Sequence, residues 1–110
     1  MIDWTRIKNL RSEIGEDDFF EVVAMFFEET DVVMAQLIGP SELSVVESRL
    51  HFLKGSALNL GLADLAEICE VGEKLAASGD AGSVDLQKVA AIYNASKITL
   101  LSMLGQPEAA

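Results

Sequence analysis

The chain has 110 residues, half of them hydrophobic, and carries 18 acidic against 8 basic side chains for a net charge of -10. That length suits a single domain able to bury about 60–70% of its unfolded surface, so a packed core needs neither disulfides nor a structural metal. The acid excess repels nucleic-acid phosphates and anionic lipid, which removes nucleic acid and membrane from the expected partners.

Every informative segment has the periodicity of a helix. A short leading helix is expected from about Asp3 to Ile14, with Trp4, Ile7 and Leu10 on one face. Gly15 interrupts it, and Glu16, Asp17 and Asp18 then place negative charge where the macrodipole of a second helix favours it. That helix runs to about Ile38, with Val23, Phe26, Phe27, Thr30, Val33, Met34 and Leu37 at inward-facing intervals. Gly39-Pro40-Ser41 breaks the chain; Ser41 or Ser44 can cap the next helix, and Ser44 with Glu47 forms a possible capping box.

The third helix carries Val46, Leu50, Leu53, Ala57 and Leu60 as its core stripe and ends at Gly61. A fourth, from about Asp64 to Ala77, buries Leu65, Ile68, Cys69, Gly72, Leu75 and Ala76. The lone cysteine, Cys69, rules out an intrachain disulfide framework, and its apolar neighbours point to a buried core thiol in a reducing compartment. A Gly- and Ser-containing loop, residues 78–83, leads to a fifth helix in which Leu86, Val89, Ala90, Tyr93, Leu100, Leu101 and Leu104 recur at helical spacing. The tail beyond Gly105 is polar enough to fray. Neither a signal peptide nor an apolar run of roughly 18 residues is present, so a cytoplasmic location is expected. The expected fold is all-α: an up-and-down antiparallel four-helix bundle capped by the short leading helix, closed on itself as a monomer.

His51, the only histidine, falls in the third helix with Lys54 three residues on and Gly55 four. At about 100° per residue it lies roughly 150° from the centre of the Leu50–Leu53–Ala57–Leu60 stripe, which turns it away from the core. Gly55 costs a helix interior about 0.5–1 kcal/mol relative to alanine, and it clears space one turn from the imidazole, on its side of the helix. Lys54 can offset the charge of a phosphoryl group on the ring. Phe52, beside His51 and off the stripe, is either a secondary packing contact or an exposed docking aromatic. A nucleophilic imidazole with a cation beside it and no crowding side chain suits phosphoryl transfer between proteins.

The run His51-Phe52-Leu53-Lys54-Gly55-Ser56-Ala57, with Leu60-Gly61, Leu65 and Cys69, resembles the signature of histidine-containing phosphotransfer (HPt) domains. Met25-Phe26-Phe27-Glu28-Glu29 resembles the family's apolar-then-acidic second helix, and Trp4 is also familiar, so the likeness spans about Asp3 to Leu75. It implies one HPt domain over 1–110, with its core at about 3–104. Such a domain is a phosphorelay intermediate of two-component signalling and not a nucleotide-hydrolysing enzyme.

By that resemblance His51 Nε2 accepts a phosphoryl group from the aspartate of one receiver domain and passes it to another. The partners are receiver domains of response regulators and hybrid histidine kinases, which carry their own Mg²⁺. No cofactor or metal is expected on this chain. The family also places a glutamine or glutamate on the following helix, bonded to the histidine Nδ1; ungapped alignment puts it at Glu73. Many relatives carry a basic residue one turn before the histidine, where this chain has Glu47 and Ser48.

The second helix has more apolar residues than one stripe requires. Phe19, Val22 and Met25, with Phe52 and Leu10, are therefore expected to form an exposed docking patch, joined on the His51 face by Ser56, Leu58 and Asn59. The competing reading is a non-catalytic helical adaptor that binds response regulators without transfer. A hydrolytic enzyme is poorly supported, because no nucleophilic serine or cysteine, phosphate loop or metal cluster accompanies the histidine.

Overall fold

A computed structural model describes residues 2–38 and 43–103. Five α-helices account for most of them: α1 (Trp4–Ile14), α2 (Glu16–Ile38), α3 (Val46–Asn59), α4 (Ala63–Ala77) and α5 (Leu86–Met103). Single 3-10 turns at Leu43–Val45 and Ala81–Ser83 precede α3 and α5. Contacts run from α2 to α3, α3 to α4, α4 to α5 and back from α5 to α2, so the four longer helices close into the expected bundle. The molecule measures 42 × 28 × 19 Å. Among the described residues, no helix is long and apolar enough to cross a membrane.

The helical register predicted for α3 is the one observed: Val46, Leu50, Leu53, Ala57 and Leu60 are all at most 2% exposed. Each leucine or valine sealed this way contributes about 1.5–3 kcal/mol from its transfer out of water. On α4, Leu65, Cys69 and Gly72 are buried as expected and Ala66 joins them, whereas Ile68, Leu75 and Ala76 are only partly covered. Cys69 is fully sealed, and burial, followed by the nearby Glu73 charge, pushes its thiol up to about 12. Val89, Tyr93 and Leu100 carry the α5 core. The expectations for Ser41, Leu104 and the tail fall outside the described residues.

Three details depart from the sequence pattern. Val45, and not Ser44, occupies the N-cap position of α3 and makes no side-chain cap bond, because the preceding residues wind into a 3-10 turn. Trp4 is 41% exposed, so the α1 face is buried mainly at Ile7. Phe19, expected on the surface, is fully buried. Gly15, at φ +83, lets α1 fold back on α2, and the Arg11 guanidinium then sits 5.7 Å over the Phe19 ring while pairing with Glu16. Phe19 thus extends the buried Val23–Phe27–Thr30–Met34–Leu37 stripe of α2 by one turn.

Two further ties hold the frame. The Asp3 amide donates to the Gly61 carbonyl at 2.6 Å, bracing the start of α1 against the α3–α4 turn. Gly61 has φ +70, and a Cβ there would lie 2.6 Å from the Asp3 carbonyl oxygen, so the turn and the close approach both require glycine. Between α2 and α5, the buried Tyr93 hydroxyl donates to Asp31 Oδ1 at 2.5 Å and lies 2.8 Å from the Thr30 hydroxyl, while Lys97 pairs with Asp31 at 2.9 Å.

Candidate functional site

The α3 register that buries Leu50 and Leu53 necessarily turns His51 outward, and its side chain is 68% exposed. Across the α3–α4 seam, the His51 Nδ1 lies 2.8 Å from Glu73 Oε2. The other carboxylate oxygen, Oε1, takes the Lys54 ammonium at 2.8 Å. One carboxylate therefore spans both residues, held to an 18% exposed position between the helices. Lys54, expected to offset the charge of a phosphoryl group on the ring, pairs with Glu73 in this unmodified chain.

The seam is narrow here for a reason visible in the residue before Glu73. A Cβ on Gly72 would lie 2.8 Å from Leu50 Cδ1 and 3.1 Å from Val84 Cγ1. Glycine thus lets the α4 backbone close on α3, which brings Glu73 within reach of the imidazole. Sequence reasoning placed Gly72 in the core but missed this role. The cost of glycine inside a helix, immediately before a candidate ligand, was the signal available.

The electrostatics follow from the contacts. The Lys54 hydrogen bond, and after it the His51 bond, hold the Glu73 carboxyl below the usual carboxylate range, against partial burial that acts the other way. The same Glu73 contact raises the Lys54 ammonium above its ordinary value. Glu73 is thereby kept anionic, and an anionic carboxylate can only accept. It therefore selects the tautomer with hydrogen on Nδ1 and leaves the Nε2 lone pair facing solvent.

Gly55 is exposed, and a Cβ built on it would meet nothing within 4 Å. No packing among the described residues explains this glycine. Of the expected docking residues, Met25 (60%), Leu58 (58%), Phe52 (42%) and Val22 (39%) are exposed, and Asn59 is as well. Ser56 and Leu10 are half-covered. Leu10, Val22, Met25, Phe26, Ser56 and Asn59 line an open groove of about 450 Å³ between α1, α2 and α3. Phe19 is the exception: it lies one turn before Val23 on the buried stripe of α2 and is fully buried, so it is withdrawn from the patch. No group of three or more His, Cys, Asp or Glu side chains able to hold a metal occurs among the described residues.

A solvent-facing imidazole on a helical bundle, oriented by a carboxylate from the next helix, is the arrangement of a histidine phosphotransfer protein. The Hpt domain profile matches residues 21–106, and the chain belongs to that family. It is also similar to the phosphorelay intermediate protein YPD1 of Saccharomyces cerevisiae, at 32% identity over 76 residues covering 64% of this chain and 46% of the yeast protein. The chain thus spans less than half the length of that curated relative. No solved structure matches it.

Proposed function

We propose that this chain is a phosphorelay intermediate of two-component signalling, in which His51 Nε2 accepts a phosphoryl group from a receiver-domain aspartate and passes it to another. The observation that carries the reading is the 2.8 Å bond between His51 Nδ1 and Glu73 on a ring that remains 68% exposed. The Nε2 lone pair attacks phosphorus, the P–O bond to the partner's aspartate breaks, and the aspartate leaves as carboxylate. Nδ1–H stays in place, and Glu73 stabilises the positive charge that the ring acquires. No proton has to move, so the same step in reverse delivers the group to a second receiver without added proton transfer.

Mg²⁺ held by the receiver domain supplies charge stabilisation on the transferring group, and this chain contributes position. The exposed ridge of His51, Gly55, Leu58 and Asn59, flanked by Phe52 and the α1–α2–α3 groove, would be the docking face. Gly55 gives the receiver room. Lys54 acts first through Glu73. In this reading the chain is a monomeric, cytoplasmic carrier without its own cofactor, and it neither hydrolyses nucleotide nor contacts nucleic acid or membrane.

The test is to incubate the chain with a receiver domain phosphorylated by acetyl phosphate. An acid-labile, alkali-stable phosphate is expected on the wild type and absent from His51→Gln. Equal label on both proteins ends the proposal, and binding without any label on the wild type supports the adaptor reading instead.

A further inference from the structure

The groove beside the His51 ridge contains a cation that neither the family match, which begins at residue 21, nor the relay chemistry assigns. Arg6, on α1, lines the groove together with Leu10, Val22, Met25 and Phe26. Its Nε donates to the Asn59 carbonyl at 3.0 Å, so the guanidinium is seated on the C-terminal end of α3. That acceptor is neutral. Arg11, Lys54, Lys74 and Lys97 each pair with a carboxylate, whereas no ion pair joins Arg6 to Asp3 at the helix start or to Glu29 on the groove's far wall, among the described residues.

Distance places this cation within reach of a docked partner. Asn59 follows His51 by eight residues, or about 12 Å along the helix axis at ~1.5 Å per residue. A standard interface covers about 800 Å² per partner, a disc of roughly 16 Å radius. Asn59 also lies about 80° around α3 from His51, toward the groove, so a partner seated on His51 that also fills the groove reaches Arg6. In a chain of net charge -10, a fixed positive group at the edge of an apolar groove discriminates strongly between partner surfaces.

Resting on the relay reading, we infer that Arg6 is a specificity-determining residue that pairs with an acidic side chain on the receiver domain as its apolar surface enters the α1–α2–α3 groove. α1 is then part of the recognition surface, braced there by the Asp3–Gly61 bond.

Three variants separate charge from support. Arg6→Gln keeps a donor for the Asn59 carbonyl but removes the charge, Arg6→Lys keeps the charge, and Arg6→Glu reverses it. With a receiver domain phosphorylated by acetyl phosphate that labels the wild type, Arg6→Gln is expected to raise KM for transfer roughly tenfold. It should leave kcat near the wild-type value and flatten the salt dependence of kcat/KM. Arg6→Glu should lose more, and Arg6→Lys should stay within about threefold of wild type. The inference is overturned if Arg6→Gln behaves as wild type, if Arg6→Lys is as impaired as Arg6→Gln, or if the loss falls on kcat. Failure of the relay reading is seen separately, as absence of alkali-stable label on the wild-type chain.

Discussion

Gly55→Ala and Gly55→Gln should separate stability from transfer by moving them in opposite directions. Gly55 sits in the interior of α3 and is exposed, and a methyl group added there would meet nothing within 4 Å. Replacing it by alanine therefore adds no clash and removes the conformational freedom that glycine has in the unfolded chain, worth about 0.5–1 kcal/mol. For a domain of this size that gain raises Tm by roughly 2–8 °C. Glutamine, also a good helix former, should retain most of it.

Transfer should move the other way. Gly55 follows His51 by one turn, so a side chain there stands where the receiver's backbone must come close. Alanine is expected to slow transfer modestly and glutamine by tenfold or more, a barrier increase of about 1.4 kcal/mol or greater. Thermal melts followed by circular dichroism give the first quantity, and single-turnover transfer from a phosphorylated receiver domain gives the second. If Gly55→Gln melts higher and transfers as fast as the wild type, clearance at this position is irrelevant and the glycine needs another explanation. If it melts lower, the open space around Gly55 is itself wrong.

Further outcomes rest on the buried contacts. Glu73→Ala should slow transfer by about tenfold while leaving the helical spectrum intact, and Glu73→Gln, which keeps an acceptor for Nδ1–H, should retain most of the rate; unchanged kinetics in Glu73→Ala would remove it from the site. The Glu73 carboxyl lies below its ordinary 4.5, so its contribution to stability is complete above that pH and fades as pH falls through the lower folded value. Lys54 lies above its ordinary 10.5, so its contribution is complete below that pH and fades as pH rises through the higher folded value. The Tm advantage of wild type over Glu73→Gln should therefore fade on the acid side, as pH drops below 4.5, and an advantage that persists undiminished in strong acid would contradict the pairing. Tyr93→Phe should cost about 1–2 kcal/mol in urea unfolding, since it deletes the half-buried bond to Asp31, and a neutral result would show that Lys97 alone satisfies that carboxylate. With its thiol pushed up to about 12 and fully sealed, Cys69 should resist alkylation at pH 8 until denaturant is added, and rapid native reaction would show that the α3–α4 seam opens.

Much of this protein was determined by local periodicity alone. The stripe Val46, Leu50, Leu53, Ala57 and Leu60 can face only one way on a helix, so the outward turn of His51 was settled by the chain's own pattern. The break at Gly15, the acidic start of α2 and the burial of Cys69 were legible for the same reason: each depends on residues within a turn or two of one another. Glu73 was placed by family resemblance, because no local rule specifies which helix face lies opposite another.

Tertiary packing decided the remainder. Spacing sets Phe19 one turn before Val23 on the buried stripe of α2, but that the Arg11 guanidinium lies over its ring was decided by the α1–α2 hairpin. Lys54 goes to Glu73 Oε1 because Gly72 brings two helices together at that level, so a carboxylate nineteen residues away competes successfully with solvent. Arg6 reaches Asn59 across fifty-three residues of chain. Helical pattern sets which way a side chain points, since that depends on a fixed rotation per residue. What it meets there depends on how closely whole helices approach, and that is settled by side chains distant in sequence that become neighbours only when the bundle closes.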